Sequence, residues 1–162
     1  MVNIFCSHSS KDTSWIAPLK SVVESVGHSM YLFEDDQRPG EYVSQKLQQA
    51  IEKADVMLVF LTPNSERSTY VHQEIGYAVR DRKPIIPLVE VGVSSKVLSM
   101  LEGREYIPFD RSSNPDTPSP EVYSALLSYL HKYAMDKMME TALAVLLFAA
   151  ICVGVIYLMT HE

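Results

Sequence analysis

Short apolar runs rich in β-forming residues alternate with helical patterns from the first residues of the chain to about residue 109, and this alternation narrows the choice of fold most. Val2-Asn3-Ile4-Phe5-Cys6 reads as a strand, and the polar loop Ser7-His8-Ser9-Ser10-Lys11 follows it. Asp12 or Thr13 can then cap a helix that carries Trp15, Ile16, Leu19, Val22, Val23 and Val26 at helical spacing, with Gly27 ending it. Further strands are expected at 30–33, 55–61, 84–89 and 105–109. Helices are expected at 42–53, from about residue 70 to 82, and briefly at 95–101. Regular strand–helix alternation predicts a parallel sheet covered by helices on both faces. The connection lengths favour a flavodoxin-like strand order, an α/β fold with five parallel strands.

Composition matters at two points. The 162 residues carry a net charge of −6 with no block of like charge, so nothing marks a nucleic-acid surface. Only two cysteines occur, Cys6 in the first strand and Cys152 in an apolar tail, which argues against a disulfide and fits a reducing compartment. No metal-spaced motif includes His8 or His72, and no metal is expected.

The C-terminal region is different in kind. Residues 141–160 contain no charge, and as a helix they would extend about 30 Å, the thickness of a bilayer core. From Glu121 no Pro or Gly interrupts the chain until Gly154, so one helix is expected to run on from there. Lys132 and Lys137 precede the apolar stretch, and no Lys or Arg follows it. With no leader ahead of the first strand, the expectation is a cytoplasmic domain over 1–135, a juxtamembrane helix continuation over 136–140 and a transmembrane helix over 141–160. The chain would then be a tail-anchored, single-pass membrane protein with the lipid bilayer as a partner.

In an open parallel sheet, ligands bind beyond the carboxyl ends of the strands. The loops after the first three strands, 7–11, 34–41 and 62–70, leave the same edge. Hydroxyls, acids, Arg38 and two tyrosines therefore gather around one crevice. Tyr70 and Glu74 stand four residues apart, which places a ring and a carboxylate on one helix face near its start. Spacing alone leaves a solvated surface Glu equally open.

Three motifs resemble one family, the Toll/interleukin-1 receptor (TIR) domains in their bacterial, NAD-cleaving form. Ile4-Phe5-Cys6-Ser7-His8-Ser9-Ser10-Lys11-Asp12 is similar to the family's first strand and loop, and Arg38-Pro39-Gly40-Glu41-Tyr42 to its second-strand loop. The third-strand motif is matched by Leu61-Thr62-Pro63-Asn64-Ser65 and Tyr70-Val71-His72-Gln73-Glu74. The likeness covers about residues 1–135 and implies a five-stranded flavodoxin-like sheet. It also implies that the domain cleaves the nicotinamide–ribose bond of NAD+ as a glycohydrolase or ADP-ribose cyclase, in immune or antiphage signalling at a membrane, with other TIR domains as self-assembly partners. NAD+ is then the substrate and no separate cofactor is needed.

The resemblance assigns Glu74 as the catalytic residue. Substrate contacts fall on Ser7, His8, Ser9 and Ser10 of the first loop, on Asp35 and Arg38, on Tyr42 beside the nicotinamide, and on Tyr70, where the family often has Trp. Tyr42 is equally a helix-start residue packed on its loop, Arg38 a surface charge, and Asp12 an N-cap. Departure of nicotinamide builds an oxocarbenium-like ribose, which an anion can stabilise. Nicotinamide already carries positive charge, so no second acid has to protonate it. The absence of G-x-G-x-x-G excludes the usual hydride-transfer use of NAD. Two rivals remain: a non-catalytic adaptor that recruits other TIR domains, and a nucleoside deoxyribosyltransferase.

Overall fold

The computed structural model describes residues 1–36, 40, 42–94, 98–101, 103–112 and 114–160, apart from the side chains of 100 and 153–160. β3 (Val56–Leu61) is buried along its whole length, as a strand apolar on both faces must be when helices cover both sides. β1 (Asn3–Ser7) and β4 (Ile85–Glu90) flank it, and the three-residue strands β2 (Ser29–Tyr31) and β5 (Ile107–Phe109) close the edges. The order is β2-β1-β3-β4-β5, and every pairing is parallel. This is the expected flavodoxin-like sheet, with its topological switch between β1 and β3.

Alternate residues of β3 serve two cores. Met57, Val59 and Leu61 join Phe5 in a cluster with Leu47 and Ile51 of α2 (Val43–Lys53) and with Val71, Ile75 and Ala78 of α3 (Thr69–Arg80). On the opposite face Phe60 stacks on Phe109 at 4.7 Å, and both rings meet Trp15 of α1 (Thr13–Ser25), at 4.9 and 4.6 Å respectively. Gly27 turns the chain from α1 into β2 at a φ of +86°, a region where a side chain would be strained.

Two edge strands are shorter than their apolar runs. β2 stops at Tyr31 because β1 offers it only three partners, Asn3, Ile4 and Phe5, before pairing with β3 alone. Residues Phe33–Asp35 then form a 3-10 turn, which frees the Phe33 ring to lie 4.4 Å beneath the Lys46 ammonium of α2. Of the short helix expected at 95–101, the turn Ser99–Leu101 is present, and residues 95–97 lie outside the described residues.

Residues Met1–Leu127 form one compact unit and Ser128–Glu162 a second. α4 (Pro120–Thr160) is one helix across this boundary, opened by Pro120. Its apolar stretch overturns the membrane expectation. Among the described residues, no helix is long and apolar enough to cross a membrane. A window extended from residue 141 toward the N-terminus takes in Glu140, Lys137 and Asp136, and charges are costly inside a bilayer. The side chains of the remaining expected span, 153–160, lie outside the described residues. The transmembrane helix over 141–160, the tail-anchored placement and the bilayer partner are therefore not supported.

The three-ring cluster is the packing feature most easily tested. Phe60→Ala deletes a fully buried ring from the central strand and should cost about 3–5 kcal/mol, read as a lower urea midpoint.

Candidate functional site

A cleft of about 350 Å³ opens where β1 and β3 diverge, at the carboxyl edge of the sheet. His8, Ser9 and Ser10 line it from the β1 loop, Phe33 and Glu34 from the β2 turn, and Val43 and Leu47 from α2. Ser68, Tyr70 and Glu74 line it from α3 and its cap. One wall is apolar and the other carries hydroxyls, an imidazole and two carboxylates, the usual mixture of a small-molecule site.

Glu74 is only 6 % exposed, although the helical pattern alone allowed a solvated position. The Ser7 hydroxyl, at the end of β1, donates to Glu74 Oε2 at 2.5 Å. Ser68 caps α3 by accepting from the Val71 N–H, and this sets where the helix begins and hence where its second turn presents Glu74. Burial pushes the Glu74 carboxyl up from 4.5 to about 7; the Ser7 hydrogen bond opposes that rise, and the Glu34 charge adds to it. Tyr70, one turn earlier, is 59 % exposed and leaves its ring face open for stacking at the mouth of the cleft.

The other expected contacts are placed differently. Ser7 is engaged with Glu74, and Ser9 Oγ accepts from the Lys11 N–H at 3.4 Å and so caps a 3-10 turn. Asp35 is paired with Lys20 of α1 and is not among the lining residues; its neighbour Glu34 occupies that position instead. Tyr42 is 75 % exposed at the N-cap of α2, outside the lining set, and Arg38 lies outside the described residues. Among the described residues no group of His, Cys, Asp and Glu is arranged to hold a metal ion.

The sequence placed Glu34 only at the start of the loop 34–41, and Asp12 was expected as a helix cap. Asp12 is fully buried and makes no cap bond. Its carboxylate accepts from Thr62 Oγ1 at 2.7 Å, Asn64 Nδ2 at 2.8 Å and Arg111 Nη1 at 3.0 Å. Arg111 in turn grips Glu90 with two N–H groups. This one acid ties the loops after β1, β3 and β5 together. A signal was available in part: Thr62-Pro63-Asn64 is a polar group directly after the fully apolar strand Val56–Leu61.

The strand order and the acid-lined crevice at its switch point define a flavodoxin-like α/β domain. Residues 4–123 match the TIR domain family, and the chain belongs to it. A curated relative, a probable 3′ cyclic ADP-D-ribose synthase ThsB′ of Bacillus cereus (strain MSX-D12), is 27 % identical over 113 residues. That alignment takes in 65 % of this chain and 56 % of the relative, so the chain spans little more than half of the relative's length. Two solved structures share the fold. One is the TIR domain of the Toll-related receptor TRR-2 of Hydra magnipapillata, at TM-score 0.57 and 18 % identity, covering 67 % of this chain and 85 % of that one. The other is a metazoan TIR-STING receptor of C. gigas, at TM-score 0.59 and 24 % identity, covering 75 % and 38 %.

The raised Glu74 carboxyl has a stability consequence. Because the folded state holds this proton up to about pH 7 and the unfolded chain releases it near 4.5, the stabilisation is full below pH 4.5 and is lost as pH rises through 7. Glu74→Gln does not titrate. Its stability relative to wild type should therefore grow by about 3 kcal/mol between pH 4.5 and pH 8, read by urea unfolding at both.

Proposed function

We propose that this TIR domain cleaves the bond between nicotinamide and ribose in NAD+, with Glu74 as the catalytic group. The observation that carries the reading is a carboxylate desolvated in a cleft, held in place by Ser7, with an exposed aromatic ring one helical turn away. Desolvation is useful here because an anion stripped of water stabilises a developing cation more strongly than a hydrated one. The pyridinium leaves as neutral nicotinamide, and the positive charge passes to the ribose, opposite Glu74. Tyr70 supplies a stacking face for the nicotinamide ring. The likeness to a probable cyclic ADP-ribose synthase supports the same chemistry.

At about 350 Å³ the cleft is at the small end of ligand sites and suits the nicotinamide–ribose half of the dinucleotide. The adenosine half would extend past the mouth, where a second TIR domain is the natural partner. Activity per molecule should then rise with protein concentration, whereas a flat specific activity would show that the single domain suffices.

Incubation with NAD+ and mass spectrometry of the products tests the reading. Wild type should release nicotinamide with ADP-ribose or a cyclic isomer. Glu74→Gln keeps the shape and loses the charge, and should slow release about a hundred- to a thousandfold. Because the ionised form is the active one, wild-type rate should climb with pH and level off above about 7. A clustered wild type that leaves NAD+ intact would transfer the assignment to the adaptor reading.

A further inference from the structure

The cleft contains a second pair of groups that cleavage of the nicotinamide bond does not use. The His8 side chain is 2 % exposed, and its Nδ1 lies 3.4 Å from the Cys6 carbonyl oxygen. In the tautomer that donates Nδ1–H to this carbonyl, Nε2 presents a lone pair. That Nε2 is buried and has no hydrogen-bond partner among the described residues. It lies 3.3 Å from Glu34 Oε1, close enough for an ion pair once the ring is protonated. In the Nδ1–H tautomer these are two acceptors in the wall of the cleft that holds Glu74, and they leave an unmet need for a donor. A hydroxyl group supplies one.

We propose that His8, backed by Glu34, is the general base that takes the proton from the hydroxyl group capturing the ribosyl cation. The inference rests on the NAD+ reading of the same cleft and concerns the second half of its reaction. In the first half, the bond from ribose C1 to the pyridinium nitrogen breaks, and its electron pair leaves with neutral nicotinamide. In the second half, a lone pair of the acceptor oxygen forms the new bond to C1, and the acceptor's proton passes to His8 Nε2. The imidazolium so formed stands beside the Glu34 carboxylate, which stabilises it, and its proton is then lost to water. Water as acceptor gives ADP-ribose, and a hydroxyl of the same molecule gives a cyclic isomer.

The two acids divide the work by their neighbours. Glu74 has one oxygen committed to Ser7 and opposes the cation, while Glu34 is more exposed and serves the imidazole. Keeping proton removal on His8 leaves the Glu74 charge in place throughout.

A nucleophile that has no proton to lose separates this role from packing. 3-Acetylpyridine attacks C1 through its ring nitrogen and yields the exchanged dinucleotide without any proton transfer. Wild type, His8→Gln and Glu34→Gln are each given saturating NAD+ with 3-acetylpyridine, and the ratio of exchange product to ADP-ribose plus cyclic products is measured. General-base catalysis is worth about 10²–10⁴-fold, so His8→Gln should raise the ratio about a hundredfold, and Glu34→Gln about tenfold. A structural role would lower both products together and leave the ratio unchanged, which overturns the proposal. If His8→Gln does not fold, as circular dichroism would show, the more exposed Glu34→Gln decides, and an unchanged ratio there is a contradiction. A wild type that makes neither product overturns the NAD+ reading and this inference with it. A wild type that makes both, with ratios unmoved in the variants, removes only the base.

Discussion

The Ser7 hydroxyl donates to the Glu74 carboxylate at 2.5 Å, and the rest of the site depends on that bond. It connects the last residue of β1 to the second turn of α3, two elements more than sixty positions apart in sequence that meet only because β1 and β3 are adjacent and parallel. Parallel pairing brings both strand ends out at one edge, and the crossover through α2 covers the face below. The buried bond also resolves a conflict. Burial pushes the Glu74 carboxyl up, and the hydrogen bond donated by Ser7 opposes that rise, which leaves it at about 7.

A second buried acid links the loops at the same edge of the sheet. Asp12 accepts from Thr62, Asn64 and Arg111 at once and so joins the loops after three strands. A fixed carboxylate in a preformed pocket needs little reorganisation when charge develops opposite it, which is how electrostatic preorganisation lowers a barrier.

Much of the sheet was legible in the chain because burial on both faces leaves an unmistakable apolar run, as in Val56–Leu61, and because Gly27 and Pro120 punctuate the helices. The four-residue spacing of Tyr70 and Glu74 made their shared helix face legible, and the family resemblance singled them out as candidate site residues. The depth of Glu74 was not legible, since a helical pattern says which residues share a face and not how far another loop closes over them. Glu34 and Asp35 are adjacent acids of the same type, and only the 3-10 turn at Phe33–Asp35 decides that one lines the cleft while the other meets Lys20. Hydropathy misled at the far end, where among the described residues no helix is long and apolar enough to cross a membrane.

The central claim is that an ionisable, desolvated Glu74 faces the place where the ribosyl cation forms. A ¹³C NMR titration of the Glu74 side-chain carboxyl tests it most directly. The titration is run on the free domain and again with an NAD+ analogue whose ribose ring oxygen is replaced by a methylene, which keeps the pyridinium charge and cannot form the oxocarbenium ion. The midpoint should lie at about 7 in the free domain and move downward when the analogue binds, because a cation placed opposite favours the anion. A midpoint in the ordinary carboxylate range near 4.5, or one that does not move at saturating analogue, would contradict it.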